Sequence, residues 1–171
     1  PYELKNIMKY WVLNDNPDLQ IIPTDSIVVT IDKEAVKRSG MMIAADSIPD
    51  VMHISLKGKR AIYKSELMML EMLAEANWER PIYIAVSVGN ENQLGMDNYF
   101  IQEGLTYRFT PFDTSKTGVK IDSEKMYDNL MNKFKFGGID KPGIYIDENA
   151  MRMCYSHRRI FSQLIGCLLY T

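Results

Sequence analysis

Five residues carry side chains suited to holding a ligand: Trp78, Glu79, Arg80, Tyr99 and Arg108. An indole and a phenol offer flat apolar faces on which a sugar ring or a peptide can stack, and the three charged groups offer hydrogen bonds. Asn77-Trp78-Glu79-Arg80-Pro81 joins a helical pattern to an apolar run, so its side chains belong at a helix-to-strand corner where they are partly shielded. The same residues also fit a packing role, in which Trp78 closes the core and Glu79 pairs with Arg80. Most aromatic residues near a core serve that role.

Other chemistry is less well supported. Val86-Ser87-Val88-Gly89, a loop and Gly95 resemble a strand entering a phosphate-binding turn. Five residues separate the two glycines where the motif has four, no Lys follows Gly95, and Glu91 places negative charge where phosphate would sit. His53 and His157 have no second ligand at zinc spacing, apart from Cys154 three positions before His157, and two residues are half a site. No Gly-x-Ser-x-Gly elbow presents a nucleophile. Asp147 and Glu148 are adjacent in sequence and therefore diverge, as charged strand ends do in water. No cofactor is called for.

Composition sets the frame. The 171 residues are 46% hydrophobic and 25% charged with a formal net charge of -2, the profile of one globular domain, and nothing in it points to nucleic acid. The longest apolar stretches, Ile82 to Val88 and Ile165 to Tyr170, are far short of the roughly 20 residues that cross a bilayer. The chain starts at Pro1 without a targeting pattern, as an excised water-soluble portion of a larger exported protein would. Cys154 and Cys167 fall in one helical pattern, where thirteen residues span about 20 Å, against about 6 Å for a disulfide. Free thiols are expected, and they leave the redox compartment open.

The elements follow from periodicity. Residues 1–24 read as a short helix and a loop, broken by Pro17 and Pro23. Ser26 to Ile31 and Val51 to Leu56 read as strands with a helical turn from Asp32 to Arg38 between them. Lys64 to Asn77 reads as a helix capped by Ser65, burying Leu67, Leu70, Leu73 and Ala74, with Met68, Met69 and Met72 widening the face. Pro81 to Val88 reads as a strand buried on both faces, and Leu105 to Phe112 as a further strand. Asp122 or Ser123 caps a helix whose Tyr127, Leu130, Met131 and Phe134 share a face, ended by Gly137-Gly138. Gly143 to Asp147 reads as a short strand. A final helix from about Asn149 places Phe161, Leu164, Ile165 and Leu168 on one stripe, and its apolar end requires a partner surface. The expected fold class is α/β, with mixed α+β as the alternative: a mixed sheet flanked by helices. The divisions are an irregular or helical lead-in over 1–24, a core over 25–147 and a C-terminal helical segment over 148–171.

Four ordered motifs resemble a known family. They are Asn77-Trp78-Glu79-Arg80-Pro81-Ile82-Tyr83; Tyr99 through Arg108; Met126-Tyr127-Asp128-Asn129-Leu130-Met131-Asn132-Lys133-Phe134 with Phe136-Gly137; and Ile144-Tyr145-Ile146-Asp147-Glu148-Asn149 leading to Arg152-Met153. Together they span roughly Asp25 to Leu164 and are similar to the extramembrane C-terminal part of large bacterial multi-pass membrane proteins that themselves resemble protein O-mannosyltransferases. The resemblance implies that any glycosyl transfer occurs in an N-terminal membrane-embedded region, with no catalytic residue to carry over here. It also implies an exocytoplasmic location, periplasmic in a double-membraned bacterium, and helical repeats after Arg152-Met153. Gly166 to Thr171 departs from the charged helix end that the family pattern leads one to expect.

Three functions follow as expectations. The first is a non-catalytic scaffold or acceptor-docking module whose partner is the membrane-embedded region of its own parent chain, and which also meets acceptor protein or glycan. The second is a carbohydrate- or peptide-binding site at Trp78, Glu79, Arg80, Tyr99 and Arg108, which burial of Trp78 would weaken. The third is an independent hydrolase or transferase built on scattered acids such as Asp147 and Glu148.

Overall fold

The β-branched run Ser26–Thr30 (β1) and the alternating run Val51–Ser55 (β2) pair antiparallel, with Ile27 opposite Ile54 and Val29 opposite Met52. Period-two alternation sends these four side chains into the core and leaves His53 outside. The computed structural model describes residues 2–41, 48–89 and 93–170. Glu91, which bears on the phosphate-turn reading, lies outside the described residues.

The chain opens with α1 (Leu4–Ile7), extended by a wider π-helical turn over Met8–Val12. Leu4, Ile7 and Met8 are buried in the main core, so part of the expected lead-in belongs to it. Between the first two strands lies α2 (Lys33–Arg38), started by the Asp32 carboxylate, which accepts from the Ala35 N–H at 3.0 Å.

α3 (Lys64–Ala76) buries Leu70, Leu73 and Ala74 in the main core, while Leu67 and Met69 are half-buried. Met68 and Met72 are exposed, so the methionines do not all widen the buried face. The expected Ser65 cap is also corrected. The helix begins at Lys64 with Tyr63, two positions before Ser65, as its N-cap, and Glu66 reaches back to accept the Tyr63 N–H at 2.9 Å.

Glu66 also pairs with Lys59. Burial disfavours its charge, but the Lys59 ammonium and the Tyr63 N–H outweigh this and bring its pKa below the ordinary value of 4.5. A depressed native pKa stabilises the fold above the unfolded-state pKa, and that contribution is lost as pH falls through the native one. In urea titrations, wild type should therefore lose more stability than Glu66→Gln between pH 7 and pH 3, the other acids being common to both. Equal losses would mean that Glu66 is not linked to folding.

The second sheet is β3 (Tyr83–Ala85), β4 (Phe100–Gln102) and β5 (Thr106–Phe109) in the order β3-β5-β4, antiparallel throughout. β3 is a three-residue edge strand with Tyr83 exposed, rather than the doubly buried strand expected from Pro81 to Val88. A strand at a sheet edge has one backbone side unpaired by a neighbouring strand. With both sheets antiparallel, the fold is mixed α+β.

A short helical turn follows as α4 (Thr114–Thr117), and Asp122 then caps α5 (Ser123–Tyr127), which continues as a π-helical stretch over Asp128–Lys133. The wider turn rotates the buried face onto Met126 and Leu130. Tyr127 and Met131 are exposed instead of sharing that face. Gly143 to Asp147 forms no strand, and Ile144 and Tyr145 are exposed there. The last helix, α6 (Glu148–Tyr170), buries Ile160 and Leu164 with Met126 and Leu130, backed by Val86, Leu105, Ile121 and Phe161. Ile165 and Leu168, expected on the buried stripe, are exposed. Cys154 and Cys167 both lie on α6 and form no disulfide with each other.

Candidate functional site

The five residues expected to hold a ligand take different environments in the fold. Asn77 and Trp78 both have left-handed backbones, φ 44° and 64°, and this double turn after α3 points the indole inward. Trp78 is 8% exposed and stacks on Phe109 at 5.6 Å and 15°, and its Nε1–H donates to the Thr30 carbonyl at 2.9 Å. It ties α3 to β1 and β5 and offers no face to a sugar. Tyr99 is half-buried on the other flank of Phe109 at 6.5 Å; burial, then the Asp113 carboxylate, hold its phenol above the ordinary pKa. Glu79 and Arg80 are exposed and form no ion pair with each other. Strand alternation sends Arg108 to the opposite face of β5 from Phe109.

On that opposite face Arg108 enters a polar cluster centred on Glu103, at the turn between β4 and β5. Glu103 Oε1 is 3.2 Å from Lys125 Nζ and 3.5 Å from Arg108 Nη1, while Oε2 accepts the Tyr83 hydroxyl at 3.1 Å. The Glu103 backbone carbonyl takes the Asn129 amide at 2.6 Å. Arg108 Nη2 donates to the Ser39 carbonyl at 2.7 Å, and Lys125 Nζ donates to the Gly40 carbonyl. The guanidinium also lies over the Tyr83 ring at 5.8 Å. Burial, partly offset by Arg108 and reinforced by Glu103, keeps the Tyr83 phenol above its ordinary pKa, so it stays a donor.

The geometry describes a brace. Ser39 and Gly40 carry carbonyls at the C-terminal end of α2, where cations are favoured. Arg108 from the second sheet and Lys125 from α5 both reach them, and Glu103 neutralises the two cations between. Three donors occupy the two carboxylate oxygens, so Glu103 is committed to holding elements together. The Arg108 Nε, buried without a hydrogen-bond partner, is the one atom of that side chain left unsatisfied. Sequence reasoning placed Arg108 in a site but missed Glu103, Lys125, Tyr83 and Asn129. The available signal was a carboxylate at Glu103 followed by Gly104, a turn pair between two aromatic-rich runs.

Beside the brace lies an open groove of about 520 Å³, walled by Leu105, Phe134, Phe136 and Ile139 and flanked by Lys133 and Lys135. Phe134 is its hinge: the rings of Phe136, His157 and Phe161 meet it edge-on at 4.8, 5.3 and 5.7 Å. His157 is thus packed on an aromatic ring, and Cys154 beside it is half-buried. Asp147 caps α6 by accepting the Ala150 N–H at 2.9 Å, and Glu148 pairs with Arg152 at 2.6 Å, so these two acids have separate structural partners. Among the described residues no group of three or more His, Cys, Asp or Glu converges as metal ligands would, and no helix is long and apolar enough to cross a membrane.

A family model described as TMEM260-associated domain 2 matches residues 1–129, which include both strands of the first sheet, Trp78, Glu103, Arg108 and Lys125. No curated protein and no solved structure matches the chain.

Proposed function

The chain belongs to the TMEM260-associated domain 2 family, and from that membership we propose that it serves a larger membrane protein as a non-catalytic scaffold that docks acceptor. The parent on this reading is a multi-pass protein similar to protein O-mannosyltransferases, as the family's name and the four ordered motifs support. The partner is the parent's own membrane-embedded region, and the chain lies on the exocytoplasmic face, periplasmic in a bacterium with two membranes.

One observation of the geometry carries the scaffold reading: the best-organised charged cluster turns inward. Glu103, Arg108 and Lys125 spend their charges joining α2, the second sheet and α5. A rigid body of this kind suits holding a second component in place, which raises its local concentration at a distant catalytic centre. The test is removal of the chain from the parent, with the acceptor dependence of transfer separated from the turnover rate.

A further inference from the structure

The loop between the α5 extension and α6 differs in character from the rest of the surface. Over residues 134–147 it forms turns, shaped by Gly137, Gly138 and Gly143 at φ 63°, 92° and 83°. Phe136, Ile144 and Tyr145 on it are 52%, 51% and 89% exposed, and Ile139 is exposed as well. Lys135 and Lys141 are exposed beside them and enter no ion pair among the described residues. Lys133 is held by Asp128 at 2.6 Å.

Charge is unevenly divided along the chain. Residues 130–171 hold six Lys and Arg against three Asp and Glu, whereas the whole chain holds 20 against 22. Two of those three acids, Asp147 and Glu148, are engaged at the start of α6. His157 lines the groove with Lys133 and Lys135, and Arg158 and Arg159 follow it on exposed positions of α6. The basic excess of residues 130–171 therefore includes Lys135 and Lys141 on the exposed apolar loop, which itself carries one acid, Asp140.

We propose that residues 133–145 bind the surface of an anionic phospholipid bilayer. Lys135 and Lys141 meet headgroups, and Phe136, Ile144 and Tyr145 enter the interface. Ile144 and Tyr145 on the turn and Phe136 at the groove's rim suit a medium that accepts apolar side chains without shape matching, and cations alongside suit its negative charge. A second exposed apolar group, Ile165, Leu168, Leu169 and Tyr170 at the end of α6, has no basic residue in its last turn and lacks that complement. The inference goes beyond docking on the parent, because it requires lipid alone.

Sedimentation of the 171-residue chain with protein-free vesicles tests it. Binding is expected to vesicles of phosphatidylcholine mixed with phosphatidylglycerol, weaker to phosphatidylcholine alone, and weakened by salt. Lys135→Gln and Lys141→Gln should each lower the affinity about fivefold, the equivalent of roughly 1 kcal/mol per cation. Phe136→Ser with Tyr145→Ser should lower it at least as far, with an unchanged circular dichroism spectrum. Failure of wild type to sediment with the anionic vesicles, or variants that bind as well as wild type, would overturn the proposal. Binding to polyglutamate in place of vesicles would also overturn it and assign the loop to an acidic protein segment. Because the vesicles contain no protein, either outcome leaves docking on the parent to be judged separately.

Discussion

Replacing Glu103 with alanine is expected to lower the unfolding free energy by about 3–5 kcal/mol, the cost of breaking a buried ion pair, measured as a shift of the urea midpoint. The Arg108 side chain is 5% exposed and remains buried as an uncompensated charge once Glu103 is gone. Lys125, one-third exposed, can turn toward water and recover part of its hydration. Glu103→Leu combined with Arg108→Leu should recover much of the loss, because replacing both members of a buried pair by apolar groups removes the stranded charge. If Glu103→Ala unfolds at the wild-type urea concentration, the cluster does not join α2, the second sheet and α5, and the scaffold reading loses its structural basis.

Trp78→Ala should cost about 3–5 kcal/mol, the range for emptying a large aromatic site in a core. The indole stacks on Phe109, and its N–H satisfies the Thr30 carbonyl. Trp78→Phe separates the two contributions: it keeps a ring against Phe109 but leaves that carbonyl without its donor, for a loss of about 1–3 kcal/mol. Urea unfolding with near-UV circular dichroism checks both. A Trp78→Ala protein as stable as wild type would return the indole to the surface and with it the stacking of a sugar or peptide.

What the sequence revealed divides along a physical line. β1, β2, α2 and α3 were legible because each has a period of its own, Ile27 and Val29 alternating in one strand and Leu70, Leu73 and Ala74 recurring at helical spacing. β4 was not, because Phe100, Ile101 and Gln102 are all buried and leave no alternation to read. The run from Pro81 to Val88 misled because hydrophobicity does not reveal whether a strand lies at a sheet's edge. The face of α5 shifted where its π-helical continuation changes the period, whereas α6 is an ordinary α-helix whose end, with Ile165 and Leu168, runs past the core that buries Ile160 and Leu164. Trp78 was correctly located at the corner after α3, but its direction depends on two successive left-handed residues, neither of them glycine. The brace was beyond reach for a different reason. Glu103 meets Tyr83 and Lys125 across 20 and 22 residues, a proximity created only by folding. Arg108, five residues away, was read with the aromatics because sequence order does not say which sheet face a side chain takes.

The most direct measurement compares transfer by the full parent protein with transfer by the same protein lacking residues 1–171, over a range of acceptor concentrations. A docking module contributes binding and not chemistry, so KM for acceptor should rise while kcat at saturating acceptor stays near the full-length value. Loss of kcat with KM unchanged would contradict this and place reacting groups within the chain.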